Sequence, residues 1–108
     1  MNIARIQLTQ GNLNNDLFSL TSTLAMFPAD SIGGSNAKSR ASRLIQINPI
    51  GGEKLETDID GKKNIFRKRD WVGAMFRRTD AKLCDYVFIK KKADGSYEIW
   101  VDKSEINL

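Results

Sequence analysis

No histidine occurs among the 108 residues, and Cys84 is the single cysteine. The first absence excludes Ser-His and Cys-His nucleophilic catalysis and any histidine-ligated metal site within the chain. The second excludes an internal disulfide and a thiolate zinc site, and it fits a reducing, cytoplasmic compartment. No apolar run approaches the ~20 residues that cross a bilayer, and no signal-peptide pattern opens the chain, so no membrane partner is expected. What remains is 41% hydrophobic and 28% charged. That balance suits one globular domain over residues 1–108, with a core that needs neither disulfide nor metal.

Charge is distributed unevenly. Residues 1–30 hold Arg5 against Asp16 and Asp30, whereas residues 62–92 hold eleven cations against Asp70, Asp80 and Asp85, a local net of +8. A field of one sign over a third of a small domain attracts polyanions, nucleic acid above all. A plain solubility surface has the same composition.

Hydrophobic patterning predicts mostly short strands with two helical pieces. Arg5-Ile6-Gln7-Leu8 alternates and leads into the polar stretch Thr9–Asp16, a strand followed by a loop. Leu17–Leu20 reads as a second short strand, and Thr21–Phe27 as a short helix ended by Pro28. Ala29–Ser42 reads as a long loop. Leu44–Ile47 predicts a core strand closed by Pro49 and the Gly51-Gly52 turn. Lys54–Ile59 alternates, with Leu55, Thr57 and Ile59 on one face. Trp71, Val72, Met75 and Phe76 form one apolar stripe of a helix over Asp70–Thr79, with Asp70 placed to cap it. Tyr86–Ile89 and Tyr97–Val101 flank Asp94-Gly95, the signature of a hairpin. Six or seven short strands and two helices predict a mainly β, barrel-like or sandwich fold.

Candidate chemistry is sparse. Glu56, Asp58 and Asp60 with Lys62 and Lys63 resemble the carboxylate-plus-lysine set of a metal-dependent nuclease, but all three acids come from one strand. A polar strand face and turn is the simpler reading. Asp58-Ile59-Asp60-Gly61 begins like a calcium loop but misplaces the glycine and lacks the terminal glutamate. Gly33-Gly34-Ser35 is followed by no Gly-Lys-Ser/Thr. Cys84 reads as a small buried apolar residue. No catalytic residue, metal ligand or cofactor is therefore expected.

Two stretches have the composition of DNA-contacting arms. Gln10, Asn12, Asn14 and Asn15, after Thr9, offer the paired donors and acceptors that match an adenine edge. Asparagine is also an ordinary turn former. Lys62, Lys63, Asn64, Arg67, Lys68 and Arg69 place five cations in eight residues with no acid. Arginine can fork onto guanine, while lysine mostly meets phosphate. Ile65 and Phe66, between them, read as core anchors. Ser35, Asn36, Lys38, Arg40 and Arg43 form a third polar and basic surface.

The order of these elements resembles the B3-like DNA-binding pseudobarrel of plant transcription factors and of recognition domains in bacterial restriction endonucleases. The likeness spans about residues 5–101. It rests on Leu8-Thr9-Gln10 before the Asn-rich stretch, on Phe27-Pro28, on the basic Lys62–Arg69 run entering a helix at Trp71, and on Leu83-Cys84-Asp85-Tyr86-Val87. The stretch Phe27–Asn36 is closer to the bacterial members. Two glycines of the usual pattern are replaced, by Asp70 before the tryptophan and by Cys84 before the aspartate. The resemblance implies an open pseudobarrel of about seven strands whose two arms, Thr9–Asp16 and Lys62–Arg69 here, grip the major groove of double-stranded DNA. It further implies a bacterial, cytoplasmic recognition module without catalysis of its own, with cleavage supplied by a nuclease domain or subunit. A small metal-dependent nuclease using Glu56, Asp58, Asp60 and Lys62, and a basic protein-interaction module, are the alternative readings.

Overall fold

Burial of alternate residues dictates the largest layer. A computed structural model describes residues 2–103. In chain order the elements are β1 (Ile3–Gln7), α1 (Gln10–Asn15), a 3-10 turn (Thr21–Met26), a shorter one (Ala29–Ser31), β2 (Ile32–Gly33), a third 3-10 turn (Ala37–Ser39), β3 (Ile45–Pro49) and β4 (Leu55–Thr57). There follow β5 (Ile59–Asp60), β6 (Ile65–Phe66), α2 (Asp70–Arg78), β7 (Tyr86–Lys91) and β8 (Tyr97–Asp102). Five strands form one sheet in the order β1-β7-β8-β3-β4, and β2-β5-β6 form a second. The β3–β8 and β2–β5 pairs are parallel and the others antiparallel. The fold is mainly β, with eight strands among the described residues rather than about seven, and these strands do not close into a barrel.

The inner face of the large sheet carries Ala4, Val87, Ile89, Tyr97, Ile99, Ile45 and Ile47, all buried. Against it pack Ile59 and Phe66 of the small sheet, Phe18, Leu20, Met26 and Phe27 of the connecting segments, and Val72, Met75 and Phe76 of α2. At about 25 cal/mol per Å² of apolar area, each large side chain so enclosed contributes roughly 1.5–3 kcal/mol. Tyr97 keeps its hydroxyl satisfied inside by donating to the Met26 carbonyl at 2.7 Å. Phe66 joins the two regions, with edge-on contacts to Phe18 and Phe27 and a tilted one to Trp71. No helix among the described residues is long and apolar enough to cross a membrane.

The hairpin at Asp94-Gly95 forms as expected, with Gly95 at φ +86°. The apolar stripe of α2 also lies inward, but Asp70 is the first helical residue and not its cap. Arg69 holds the cap position without a side-chain bond. Leu17–Leu20 is not a strand: Phe18 and Leu20 turn inward from an irregular segment, tied down by the Leu20 N–H to the Asn64 carbonyl at 2.7 Å. The expected 29–42 loop contains β2 and two 3-10 turns. The run expected to form a single strand over 54–59 breaks at Asp58, where the chain leaves the large sheet for the small one.

Cys84 is half-exposed rather than buried, and it sits in a turn at φ +73°, the left-handed region. Its side chain meets there the steric penalty that glycine avoids, about 1–2 kcal/mol. Cys84→Gly should therefore raise stability by about 0.5–1 kcal/mol after the added freedom of the unfolded chain is deducted. Urea denaturation at neutral pH under reducing conditions checks this, and a loss of stability would mean that the thiol contributes packing worth more than the strain.

Candidate nucleic-acid interface

The first arm is helical, not a loop. Thr9 caps α1: its Oγ1 accepts from the Asn12 N–H at 3.2 Å, while the Asn12 Oδ1 accepts from the Thr9 N–H at 3.0 Å. This reciprocal box satisfies two donors that a helix start leaves orphaned. One turn on, Gln10 donates through Nε2 to the Asn14 Oδ1 at 3.0 Å, and Asn15 donates to the Gly11 carbonyl at 2.9 Å. The amides thus divide by role. Thr9 and the half-buried Asn12 hold the helix, whereas Gln10, Asn14 and Asn15 lie exposed. The Gln10 side-chain oxygen and the Asn14 side-chain nitrogen have no partner among the described residues, leaving an acceptor and a donor on neighbouring turns.

Asp16 ends α1 in the left-handed conformation, where an aspartate is tolerated. It also meets α2 at Gly73, where an added Cβ would come within 2.5 Å of its Oδ2. A side chain at Gly73 would therefore push the first arm away from α2.

The second arm begins in the β5–β6 turn. Asp60 Oδ1 accepts from the N–H groups of Lys62 and Lys63 at 3.0 and 3.1 Å, and Asn64 closes the turn at φ +57°. The Asn64 amide then donates to Thr21 Oγ1 at 3.1 Å, so Asn64 organises the turn rather than projecting outward. Ile65 and Phe66 are buried as β6, the anchoring role expected of them. Lys62, Lys63, Lys68 and Arg69 are exposed and make no ion pair among the described residues.

Arg67, expected among the outward cations, is turned inward. Its Nε and Nη2 fork onto the Asp58 carboxylate at 2.8 and 3.0 Å, with the arginine side chain 20% and the aspartate 3% exposed. Nη2 also donates to the Gly34 carbonyl at 2.7 Å and Nη1 to the Asn36 carbonyl at 3.2 Å. Asp58 Oδ2 accepts in addition from the Ala41 N–H at 2.7 Å. One buried ion pair thereby fastens the segment 34–41 to the second arm. Burial pushes the Asp58 carboxyl up, but the bonds from Arg67 and Ala41 outweigh it and hold the group below the usual carboxylate range. Bonding to Asp58 raises the already high pKa of Arg67.

On the segment fastened in this way, the Asn36 side chain caps the 3-10 turn by accepting from the Lys38 and Ser39 N–H groups at 3.0 and 3.2 Å. Ser35, Lys38 and Arg40 are exposed, and Arg43 pairs with Asp30 at 3.2 Å. Because β2 and β5 are parallel, residues 34 and 61 leave the same end of the small sheet.

The nuclease-like cluster of the alternative reading does not assemble. Glu56 is exposed on the large sheet, Asp58 is closed over by Arg67, and Asp60 is engaged by the turn. Among the described residues no three acids, cysteines or histidines converge. What the second arm presents to solvent is therefore cationic, the preceding Asp58 and Asp60 having been turned inward. No family model and no curated protein sequence matches the chain.

Arg67→Ala should cost about 3 kcal/mol near neutral pH, because it strands a buried carboxylate. The folded pKa of Asp58 lies below its unfolded value, so its contribution is present above about pH 4 and lost as pH falls through the folded pKa. Denaturation from pH 7 down to pH 2 should show that acid-side loss in the native chain and a flatter profile in Asp58→Asn. Superimposable profiles would mean that the pair stabilises nothing.

Proposed function

We propose that the chain is a sequence-specific, double-stranded DNA-binding module of the B3-like kind, in which α1 and the second arm enter the major groove. In this reading it is the target-recognition part of a bacterial restriction-type system, and a separate nuclease domain or subunit cuts. The observation that carries the reading is the segregation of charge. Lys62, Lys63, Lys68 and Arg69 stand exposed and outside any ion pair among the described residues, while Asp58 and Asp60, just before them in the chain, are internal. A duplex meeting this surface encounters no nearby carboxylate from those two residues.

Base reading falls to α1. The open acceptor of Gln10 and the open donor of Asn14 offer the complement of the adenine N6 and N7 edge in the major groove. The cations then position the duplex through its phosphates, and Lys38 and Arg40 extend their track. Further support comes from Cys84: the likeness expects glycine there, and the backbone holds the left-handed conformation that glycine prefers.

Duplex affinity should fall steeply with salt. Four to six phosphate contacts, from the second arm alone or with Lys38 and Arg40, give a slope of about −4 to −5 in log K against log salt. Lys62→Ala with Lys63→Ala should flatten that slope by about two. Fluorescence anisotropy with a labelled duplex between about 50 and 300 mM salt reads both. A flat response, or no duplex binding at low salt, would overturn the reading.

The amides should separate in the same assay. Asn14→Ala should cost about 1–3 kcal/mol on a cognate duplex and little on a random one. Asn12→Ala should lower stability by about 1 kcal/mol through the lost cap and weaken both duplexes alike. Equal losses from Asn14→Ala on both duplexes would mean that α1 reads no bases.

A further inference from the structure

The outward face of the large sheet lies on the side of the molecule away from the second arm, because its inward face packs on the small sheet and α2. It is not a bare polar surface. Tyr86 and Phe88 of β7 and Trp100 of β8 lie there half-exposed; Phe88 and Trp100 stack with ring centroids 5.5 Å apart, and the Arg5 guanidinium sits 4.7 Å from the Tyr86 ring centre. Ile3 of β1 adds an apolar side chain that is 49% exposed. No element formed by the described residues covers this patch, and polar residues rim it.

Its charges are mixed. Arg5 and Lys90 stand against Glu98 and Asp102, with Glu98 also reached by Lys92 at 3.6 Å. A polyanion would favour one sign, so this face differs in kind from the second arm. The register supplies the partner instead. Across β7 and β8, Tyr86 lies opposite Asp102, Phe88 opposite Trp100 and Lys90 opposite Glu98. A two-fold axis parallel to these strands and midway between them lays β7 of one copy over β8 of the other at the same level. Each residue then faces its own cross-strand mate on the other chain. All three pairings are complementary: phenol to carboxylate, ring to ring, ammonium to carboxylate.

We propose that this face is a self-complementary docking surface for a second copy of the chain, forming an isologous sheet-on-sheet dimer. The pairing turns the two basic surfaces away from each other, and it is independent of what those surfaces bind. Four strands at ~4.8 Å spacing and five residues at ~3.4 Å rise give a footprint of roughly 20 by 17 Å. At roughly 700 Å² over both copies this lies below the ~1,200–2,000 Å² of stable specific interfaces, in the range of transient encounters, so association is weak and concentration-dependent.

Sedimentation equilibrium of the whole chain, without nucleic acid, tests the geometry. The native protein should move from monomer towards twice the monomer mass as concentration rises through the micromolar to millimolar range. Lys90→Glu places two glutamates face to face across the axis and Glu98→Lys two lysines, so each variant alone should stay monomeric. Mixed one to one, they restore both ion pairs, and the dimer should return. Phe88→Lys, a change on the solvent side, should remain monomeric alone and in either mixture, while thermal melting confirms that each variant is folded. A native protein that is monomeric throughout overturns the proposal. Variants that dimerise like the native chain, or a mixture that stays monomeric, overturn it equally. Quenching of Trp100 by a single-stranded oligonucleotide, lost in Phe88→Lys and unaccompanied by dimerisation, would assign the face to nucleic acid instead.

Discussion

A charged pair at the junction of two sheets sets the arrangement of the molecule. Asp58 occupies the one position between β4 and β5 where the chain changes sheet, and a carboxylate 3% exposed there demands a partner. Arg67 supplies it with a planar fork that meets both oxygens, which a lysine ammonium could not do. The remaining guanidinium donors reach carbonyls of residues 34 and 36, and the second carboxylate oxygen also takes the Ala41 N–H. A segment with little apolar content of its own is thereby held against the small sheet. Since a buried pair of this kind is costly to break and adds little net stability, its contribution is chiefly to orientation.

The proposed function rests on the same sorting of charge. Two of the carboxylates beside the basic stretch are drawn inside, one by Arg67 and one by the backbone of a turn. The lysines around them keep their field. The asparagines of α1 divide similarly, one closing the capping box and others left facing water. In the proposed function, recognition and scaffold are built from the same residue types, sorted by position. On the far side of the molecule the large sheet balances its charges pair by pair.

Much of this is legible in the sequence, and the omissions have physical causes. Two aromatic and β-branched runs around an Asp-Gly turn signal make the β7–β8 hairpin readable, and an apolar stripe makes α2 readable. The small sheet is harder, because β2, β5 and β6 are two residues each and carry almost no periodicity. Thr9-Gln10-Gly11-Asn12 reads as a loop because glycine and asparagine disfavour helix interiors, yet the Thr9–Asn12 capping box outweighs that preference. Arg67 reads as one more surface cation. A signal for its true place exists: a four-residue turn over Gly61–Asn64 sets Ile59 opposite Phe66, and the next step outward sets Asp58 opposite Arg67. Composition alone does not reveal that register. The two sheets establish a mainly β fold, and the finer B3-like topology belongs to the functional proposal.

The claim that this surface reads sequence can be tested before any target site is identified. Duplexes bound from a random-sequence pool, recovered over several rounds at near-physiological salt and sequenced, should converge on one short motif. The Gln10 and Asn14 amides predict that this motif contains at least one adenine, and the same selection with Asn14→Ala should lose or relax that position. A pool that stays random while duplex is retained would mean that the chain binds DNA by charge alone. It would contradict the assignment of base reading to α1.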